Sequence, residues 1–451
     1  MLNTARKTPL TRGLQDEPQR ETEVSPLPEN WRVAELGSLC LKTPAVDLRR
    51  DGDRNIEYVD VSSVSRRALR VEGSVPFRLR DAPSRARKQI QTGDVIFATV
   101  RPTLLRAAVV PLSLDNQVCS TAFCVLRRDP NHAVGGFIYY LVQRDAFVRQ
   151  LANEESGANY PAVTDRVVKA QLVPVPPLEE QRAIVAALGR VRDALSAHER
   201  AVASVSELKR AAMRTLFTRG LRGEPQRGTE IGPIPESWDL VELEAVQESI
   251  RYGTSVRCSH RPTGFPVLRI PNIEAGRINT DNLKFCERHT VAPSRYELER
   301  GDLLFVRTNG VLGRLGACAV YDGAPRGALF ASYLIRSRLM SDRVVPRFVA
   351  YFFGSEIGSR AIADRATPAA DGKFNLNATT ISGLPLLVPE SLDEQREIVA
   401  ILDALDRKAE LHRRKRAVLD DLFKALLHKL MTGEIRVADL GLPEDLESVA
   451  S

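Results

Sequence analysis

The chain has 451 residues, 43% apolar and 27% charged, with a net charge of +7. That length suits two to four globular domains, and no apolar run approaches the ~20 residues of a membrane span. The start, MLNTARKTPLTRG, lacks the apolar core of a secretory leader, so a cytoplasmic location is expected.

In chain order the first element is a segment that occurs twice. TRGLQDEPQRETEVSPLPENW begins at Thr11, and a copy identical at 14 of 21 positions begins at Thr218. The repetition continues downstream. Trp31 recurs as Trp238, Gly93-Asp94 as Gly301-Asp302, and LEEQR at Leu178 as LDEQR at Leu392, at offsets of 207, 208 and 214 residues. A nearly constant offset marks duplicated units with small loop insertions. After P-x-P-E-x-W comes a variable stretch, about Lys42 to Arg87 and about Ile250 to Arg295. Next, GDVIFATVRP and GDLLFVRTNG read as a turn followed by a buried strand. Strands are expected around CSTAFCVLR and FASYLIRSR, then one helix over GGFIYYLVQRDAFVRQL with its counterpart in PRFVAYFFGSEIGSRAI. Proline-containing strands, QLVPVPP and LPLLVPE, close each globular part. This order of strands and helices predicts an α+β or α/β fold. Trp31 and Trp238 read as core anchors.

A long helix follows each globular part. Ile184, Leu188, Val191, Leu195, His198, Val202 and Val205 are spaced 4-3-4-3-4-3, as are Ile398, Leu402, Leu405, Ala409, His412, Arg416 and Leu419. Leu422 or Phe423, Leu426 and Leu430 continue the second series. This is a coiled-coil period, and each pattern runs for about 40 residues, roughly 60 Å of helix, too long to serve one domain. The two helices are therefore expected to pair with each other. Ser391 to Glu394 reads as a capping box, and the pairs Glu154-Glu155 and Glu179-Glu180 as solvated helix ends. The six cysteines, none in a C-x-x-C pair, read as ordinary thiols without a zinc site or a disulfide framework.

Taken in order and twice over, LPENW and IPESW, APSRARKQIQTGDVIFATVRP, GDLLFVRTNGVLGRLGACAV, NYPAVTDRVVKAQLVPVPPLEEQRAIV and FNLNATTISGLPLLVPESLDEQREIV resemble the specificity subunits of type I restriction-modification systems. The resemblance covers about Val24 to Val437. It implies two similar target-recognition domains separated by two long antiparallel coiled-coil helices, a pseudo-two-fold, circular repeat. The boundaries expected are a linker-like segment at 1–24, a first recognition domain at 25–176, a spacer helix at 177–218, a second domain at 219–390, a second spacer helix at 391–432 and a tail at 433–451. It further implies double-stranded DNA as target and two methyltransferase subunits as partners, with or without motor-nuclease subunits. S-adenosylmethionine would be carried by the methyltransferase partners and no cofactor by this chain. Circularity also explains the early copy at Thr11: it would mimic, near the end of the second long helix, the connection made covalently at Thr218.

The residues are consistent with a reader that has no catalysis of its own. The chain holds no N-P-P-Y or D-P-P-Y tetrapeptide, G-x-G-x-x-G after a strand, P-loop or H-E-x-x-H. Of its 64 basic residues 11 are lysine, leaving 53 arginines. Arginine suits guanine edges and phosphates. A codon bias toward arginine explains the same excess, so the charge permits a nucleic-acid partner without requiring one. Candidate DNA contacts are Arg85, Arg87, Lys88, Arg101, Arg106, Asn159, Tyr160 and Lys169 in the first domain. In the second they are Arg307, Asn309, Arg314, Lys373 and Asn375. The dissimilar variable stretches predict an asymmetric split target, with half-sites about one DNA turn (~34–36 Å) apart. The competing readings are a self-contained methyltransferase or nuclease, and a coiled-coil scaffold without DNA specificity.

Overall fold

In each half of the chain a Gly-Asp turn launches a wholly apolar strand. In the computed structural model, which describes residues 19–20, 27–157, 161–274 and 276–441, these strands are Val95–Ala98 and Leu303–Val306, with every residue buried. Gly93 (φ 84°) and Gly301 (φ 99°) supply the left-handed backbone of each turn. The aspartates that follow are buried too, and a buried carboxylate needs a partner. Asp94 accepts from Arg127 Nε and Nη2 at 2.9 and 2.8 Å, and Asp302 from Arg338 Nε and Nη2 at 2.8 and 3.0 Å.

The chain divides into two units: Met1–His198 with Lys415–Ser451, and Glu199–Arg414. In the first, one antiparallel sheet runs in the order Cys40–Leu41, Phe123–Arg128, Val95–Ala98, Ala107–Val109. A second runs Val75–Arg78, Asn55–Val59, Gln117–Ser120, Ala86–Ile90, its central pair parallel. The opening strand Arg32–Glu35 pairs with the closing Leu172–Val175, so the domain is sealed where it starts.

The second unit repeats the plan. Its four-stranded sheet runs Gln247–Tyr252, Leu334–Leu339, Leu303–Val306, Cys318–Val320. A three-stranded sheet runs Lys284–Cys286, Phe265–Leu268, Leu329–Phe330. Trp238–Glu242 pairs with Pro385–Pro389. Trp31 and Trp238 are buried in their respective cores. Mixed sheets with short helices, present twice, match the fold class read from the sequence.

One expected helix is two in each unit. Phe137–Leu141 and Asp145–Asn153 replace the single helix of the first unit, and Pro346–Phe353 and Glu356–Ala363 its counterpart. The apolar period runs through both, which hides the break. In the second unit the break is set by Ser355, whose extended backbone and side chain cap the new helix at Gly358 N–H.

The two long helices span Leu178–Arg219 and Leu392–Thr432. Within the first unit Ile184 and Leu188 are buried in one cluster with Phe423, Leu427, Leu430 and Met431, and Val191, Leu195 and Leu426 pack against it. Here Glu180 meets Arg436 and Arg192 meets Phe423, so the segments run antiparallel. Within the second unit Ile398 and Leu402 share a cluster with Met213, Leu216 and Phe217. There Lys209 Nζ binds Asp406 at 2.6 Å and Leu221 N–H binds Glu394, again antiparallel. Leu405, His198 and His412 are only half-buried. Between the open alternatives Phe423 takes the seam, while Leu422 is 44% exposed, and Leu427 is more deeply buried than Leu426.

Two helix-end expectations need correction, and one repeated residue gains a role. Ser391 Oγ does cap the second helix, accepting from Asp393 N–H at 3.1 Å, but the reciprocal half of the box is not made, because Glu394 reaches across to Leu221 N–H. Glu180 is not solvated: its carboxylate accepts from Trp31 Nε1 at 2.9 Å and pairs with Arg436. The glutamine of each E-Q-R is a clamp and not merely a landmark of the repeat. Gln181 Oε1 accepts from Val134 N–H at 3.0 Å while Nε2 donates to His132 O and Pro176 O at 3.1 and 3.0 Å. Gln395 repeats this with Val345 N–H at 2.8 Å and with Arg343 O and Pro389 O, both at 3.3 Å.

The circular reading has a direct counterpart in the first unit. Arg436, just past the second long helix, donates to Asn30 Oδ1 at 3.1 Å, and Gly433 lies against Pro28 and Trp31. In the second unit Phe217, near the end of the first long helix, packs edge-on against Trp238. Most of the Thr11 copy lies outside the described residues. Its pairing of Gln19 with Pro28 and Arg20 with Leu27 is the same as that of Gln226 with Pro235 and Arg227 with Ile234. Among the described residues, no helix is long and apolar enough to cross a membrane.

Candidate nucleic-acid interface

In the second unit the chain leaves the buried strand Leu303–Val306 at Arg307 and pairs at once with a later loop. Thr308–Asn309, Phe374–Asn375 and Thr367–Pro368 form a small three-stranded sheet in the order first, second, third. Asn309 is opposite Phe374, and Asn375 is opposite Thr308 and Thr367. Arg307, Asn309, Lys373 and Asn375, separated by up to 68 positions in sequence, are thus gathered on one patch. Arg314 is exposed at the end of the adjoining loop.

Arg307 is held from several directions. Its backbone N–H donates to Tyr333 O at 3.0 Å and its carbonyl accepts from Leu376 N–H at 2.8 Å. The guanidinium stacks over the Tyr252 ring at 5.1 Å and donates from Nη1 to Ser332 O at 3.3 Å. Nε is buried with no acceptor among the described residues, and a buried donor of this kind is costly unless something binds it. A planar fork already stacked and oriented can grip a base edge with little further loss of rotamer freedom. Lys373 pairs with Asp371 at 2.6 Å on the exposed surface, where such pairs are weak and exchangeable. Asn309 Oδ1 accepts from Val311 N–H at 2.9 Å.

Four exposed residues beside these loops escaped the sequence reading: Tyr252, Val311, Leu312 and Tyr333. Tyr252 is the platform under Arg307 and accepts from Ala378 N–H at 2.9 Å. Nothing in their spacing distinguishes them from core positions. Only their exposure, Tyr333 at 57% and Val311 at 60%, sets them apart.

In the first unit Arg101 occupies the place of Arg307. It is exposed, sits in the left-handed region at φ 49°, and donates its N–H to Pro161 O at 2.7 Å. A left-handed arginine is uncommon and calls for a cause outside local propensity. The counterpart of the small sheet is reduced to two antiparallel bridges on Ala162, one with Val100 and one with Ser156. Arg85 is exposed, and Arg87 is half-buried with Nη1 on Ala86 O at 2.8 Å. Asn159 and Tyr160 lie outside the described residues.

Two expected contacts face inward. Lys88 Nζ binds Asp165 Oδ2 at 2.5 Å and Phe123 O at 2.6 Å, which fixes the 165–170 helix to the sheet. Arg106 Nη1 binds Val61 O and Val64 O at 2.5 and 3.3 Å. In this structure both brace neighbouring backbone, Lys88 through a carboxylate and a carbonyl and Arg106 Nη1 through two carbonyls. Lys169 is half-buried in the last turn of that short helix, its Cβ close against Gly37.

The two units hold the long helices by different chemistry. In the first, Arg192 stacks on Tyr139 and Tyr140 and donates to Gln143 Oε1 at 2.9 Å. In the second, Tyr351 lies 2.5 Å from Asp403 Oδ1 and 2.6 Å from Asp406 Oδ2, and Arg347 pairs with both carboxylates. Burial by itself would push the Asp403 carboxyl up. The Tyr351 hydroxyl and the Arg347 guanidinium outweigh it and hold Asp403 below its ordinary value.

Residues 28–203 match the family model of the type I restriction modification DNA specificity domain. The chain is similar to the type I restriction enzyme EcoKI specificity subunit of Escherichia coli K12, 23% identical over 320 residues, covering 70% of this chain and 68% of the relative. It is similar to the MjaVIII specificity subunit of Methanocaldococcus jannaschii, 23% identical over 305 residues, covering 67% and 70%. A solved structure from work on complex assembly and conformational transition of the type I R-M system superposes with a TM-score of 0.57 at 29% identity, covering 91% of this chain and 99% of that one.

Proposed function

The chain belongs to the type I restriction-modification specificity subunits, and from that premise we propose how its two units divide the work of reading DNA. Each unit reads one half of a split, asymmetric target. The first uses the loops around Arg85, Arg87 and Arg101, and the second the patch of Arg307, Asn309, Arg314, Lys373 and Asn375. The observation that carries this reading is that one scaffold is built twice and furnished differently. The Gly-Asp strand, the glutamine clamp and the tryptophan anchor recur in both units. The variable stretches differ: the first contributes three strands, Asn55–Val59, Val75–Arg78 and the start of Ala86–Ile90, to a four-stranded sheet, and the second contributes Phe265–Leu268 and Lys284–Cys286 to a three-stranded one.

Arginine forks suit guanine O6/N7 and asparagine amides suit adenine, while lysine holds phosphate. The long helices, shared between the units, would set the spacing of the half-sites and seat two methyltransferase subunits, with or without motor-nuclease subunits. The chain itself is a non-catalytic cytoplasmic reader, and S-adenosylmethionine belongs to its methyltransferase partners. The recognition domains are assigned to 25–176 and 219–390, the spacer helices to 177–218 and 391–432, and the flanking segments to 1–24 and 433–451.

The test is a graft. Replacing residues 219–390, which carry both the variable stretch and the patch of Arg307 to Asn375, with the second recognition domain of another specificity subunit, followed by methylation-sensitive sequencing, should change one half of the methylated motif and leave the other half intact. A graft that methylates the parental motif, or that changes both halves together, would refute the assignment.

A further inference from the structure

The variable stretch of the second unit contains two cysteines brought face to face. Ser259 and Phe285 form an antiparallel bridge and exchange both backbone hydrogen bonds, Ser259 N–H to Phe285 O at 2.9 Å and Phe285 N–H to Ser259 O at 2.7 Å. The next pair along, Cys258 opposite Cys286, is therefore a non-hydrogen-bonded pair. At such sites opposed Cα atoms lie about 4.5 Å apart, inside the ~4.4–6.8 Å window that a disulfide can span. The side chains share a face. Cys258 Sγ donates to Val256 O at 3.2 Å, and both cysteines pack in one apolar cluster with Val267, Phe265 and Leu329. No other strand pairing opposes two cysteines among the described residues: Cys40 faces Arg128, Cys119 faces Lys88, Cys124 faces Phe97 and Cys318 faces Phe305.

We propose that Cys258 and Cys286 are a reversible dithiol–disulfide site, oxidised by low-molecular-weight disulfides of the glutathione class. The accessibilities assign the roles. Cys258 is half-exposed and Cys286 is buried. The Cys258 sulfur, as thiolate, attacks one sulfur of the small disulfide, breaking its S–S bond and expelling one thiolate. The Cys286 sulfur, after losing its proton, then attacks the Cys258 sulfur and expels the second thiolate. Two protein thiols are oxidised to one disulfide, two electrons pass to the reagent, and the two protons leave with its two thiol products. Burial pushes both cysteine thiols above their ordinary values, so each must give up its proton before its sulfur attacks. The bond ties the segment around Cys258 to the strand Lys284–Cys286. Gly264 already lies tight against that strand, a Cβ there meeting Cys286 O at 2.0 Å.

The test uses the reduced full-length chain and oxidised glutathione, followed by alkylation under denaturing conditions and peptide mass mapping. Two of the six free cysteines should escape alkylation, as a linked Cys258–Cys286 peptide pair that dithiothreitol separates. Cys286→Ser, which keeps the attacking thiol and removes the resolving one, should accumulate glutathione on Cys258. Cys258→Ser should leave Cys286 unmodified. Full alkylation of both cysteines after oxidation, or a disulfide mapped to a different pair, would overturn the proposal.

Discussion

Replacing Gln395 with leucine keeps the side chain's bulk and removes three hydrogen bonds at once. The amide is buried, and it joins the first turn of the second long helix to two backbone segments of its own unit. The substitution strands one N–H, that of Val345, bonded at 2.8 Å, and two carbonyls, those of Arg343 and Pro389, bonded at 3.3 Å. A buried group left without its partner costs about 1–3 kcal/mol. The short bond from Val345 falls within that range and the two longer ones at its low end, for a total of about 2–5 kcal/mol. The assay is urea unfolding of the parent and variant, with native-state hydrogen exchange to locate the damage. Protection should fall around residues 343–349 and 389–399 and stay unchanged in the first unit. Gln181→Leu should produce the mirror result, around residues 132–138 and 176–185. Gln395→Glu gives a signed control. A carboxylate facing two carbonyls has its folded pKa raised, so the variant should approach parental stability at low pH, where the carboxyl is protonated, and lose stability as pH rises through the folded pKa. A loss below ~1 kcal/mol for Gln395→Leu, or equal loss of protection in both units, would show that the glutamine is not a clamp.

Arg307→Ala, assembled with the methyltransferase subunits, should weaken binding to the cognate site by about 1–3 kcal/mol, read by titration at fixed salt, and unchanged affinity would remove Arg307 from the interface. Tyr252→Leu should reproduce part of that loss without changing the charge, because it removes the surface on which the guanidinium lies; an effect equal to zero would deny the positioning role. Asp403 is held below its ordinary value, so its contribution is present above the unfolded carboxylate pKa and lost as pH falls through the lower folded one. Asp403→Asn should therefore flatten the acid-unfolding curve of the second unit below about pH 4, as followed by circular dichroism. Inserting two helical turns into both long helices should lengthen the preferred spacer or abolish recognition, and methylation at the parental spacing would contradict the spacer role.

What the sequence determined alone was the repeat and its consequences. A constant offset between Trp31 and Trp238, a 3.5-residue period at Ile184 and Ile398, and the buried run after each Gly-Asp are local patterns, and periodicity reports directly on which face is buried. The family followed from the order of those patterns. Tertiary structure decided everything that depends on distant partners. Period alone cannot choose between Leu422 and Phe423, since both lie within one helical step of the seam; the aromatic residues of the first unit choose Phe423. The break after Phe353 does not interrupt the apolar period and became visible only through the Ser355 cap. Lys88 and Arg106 look like surface cations in sequence, and only the positions of Asp165 and of the Val61 and Val64 carbonyls turn them inward. Arg307, Asn309, Lys373 and Asn375 were each legible as polar loop residues. Their meeting on one patch, with Tyr252 beneath the arginine, required strand pairing across a long stretch of chain, and residue type and spacing carry no record of that pairing.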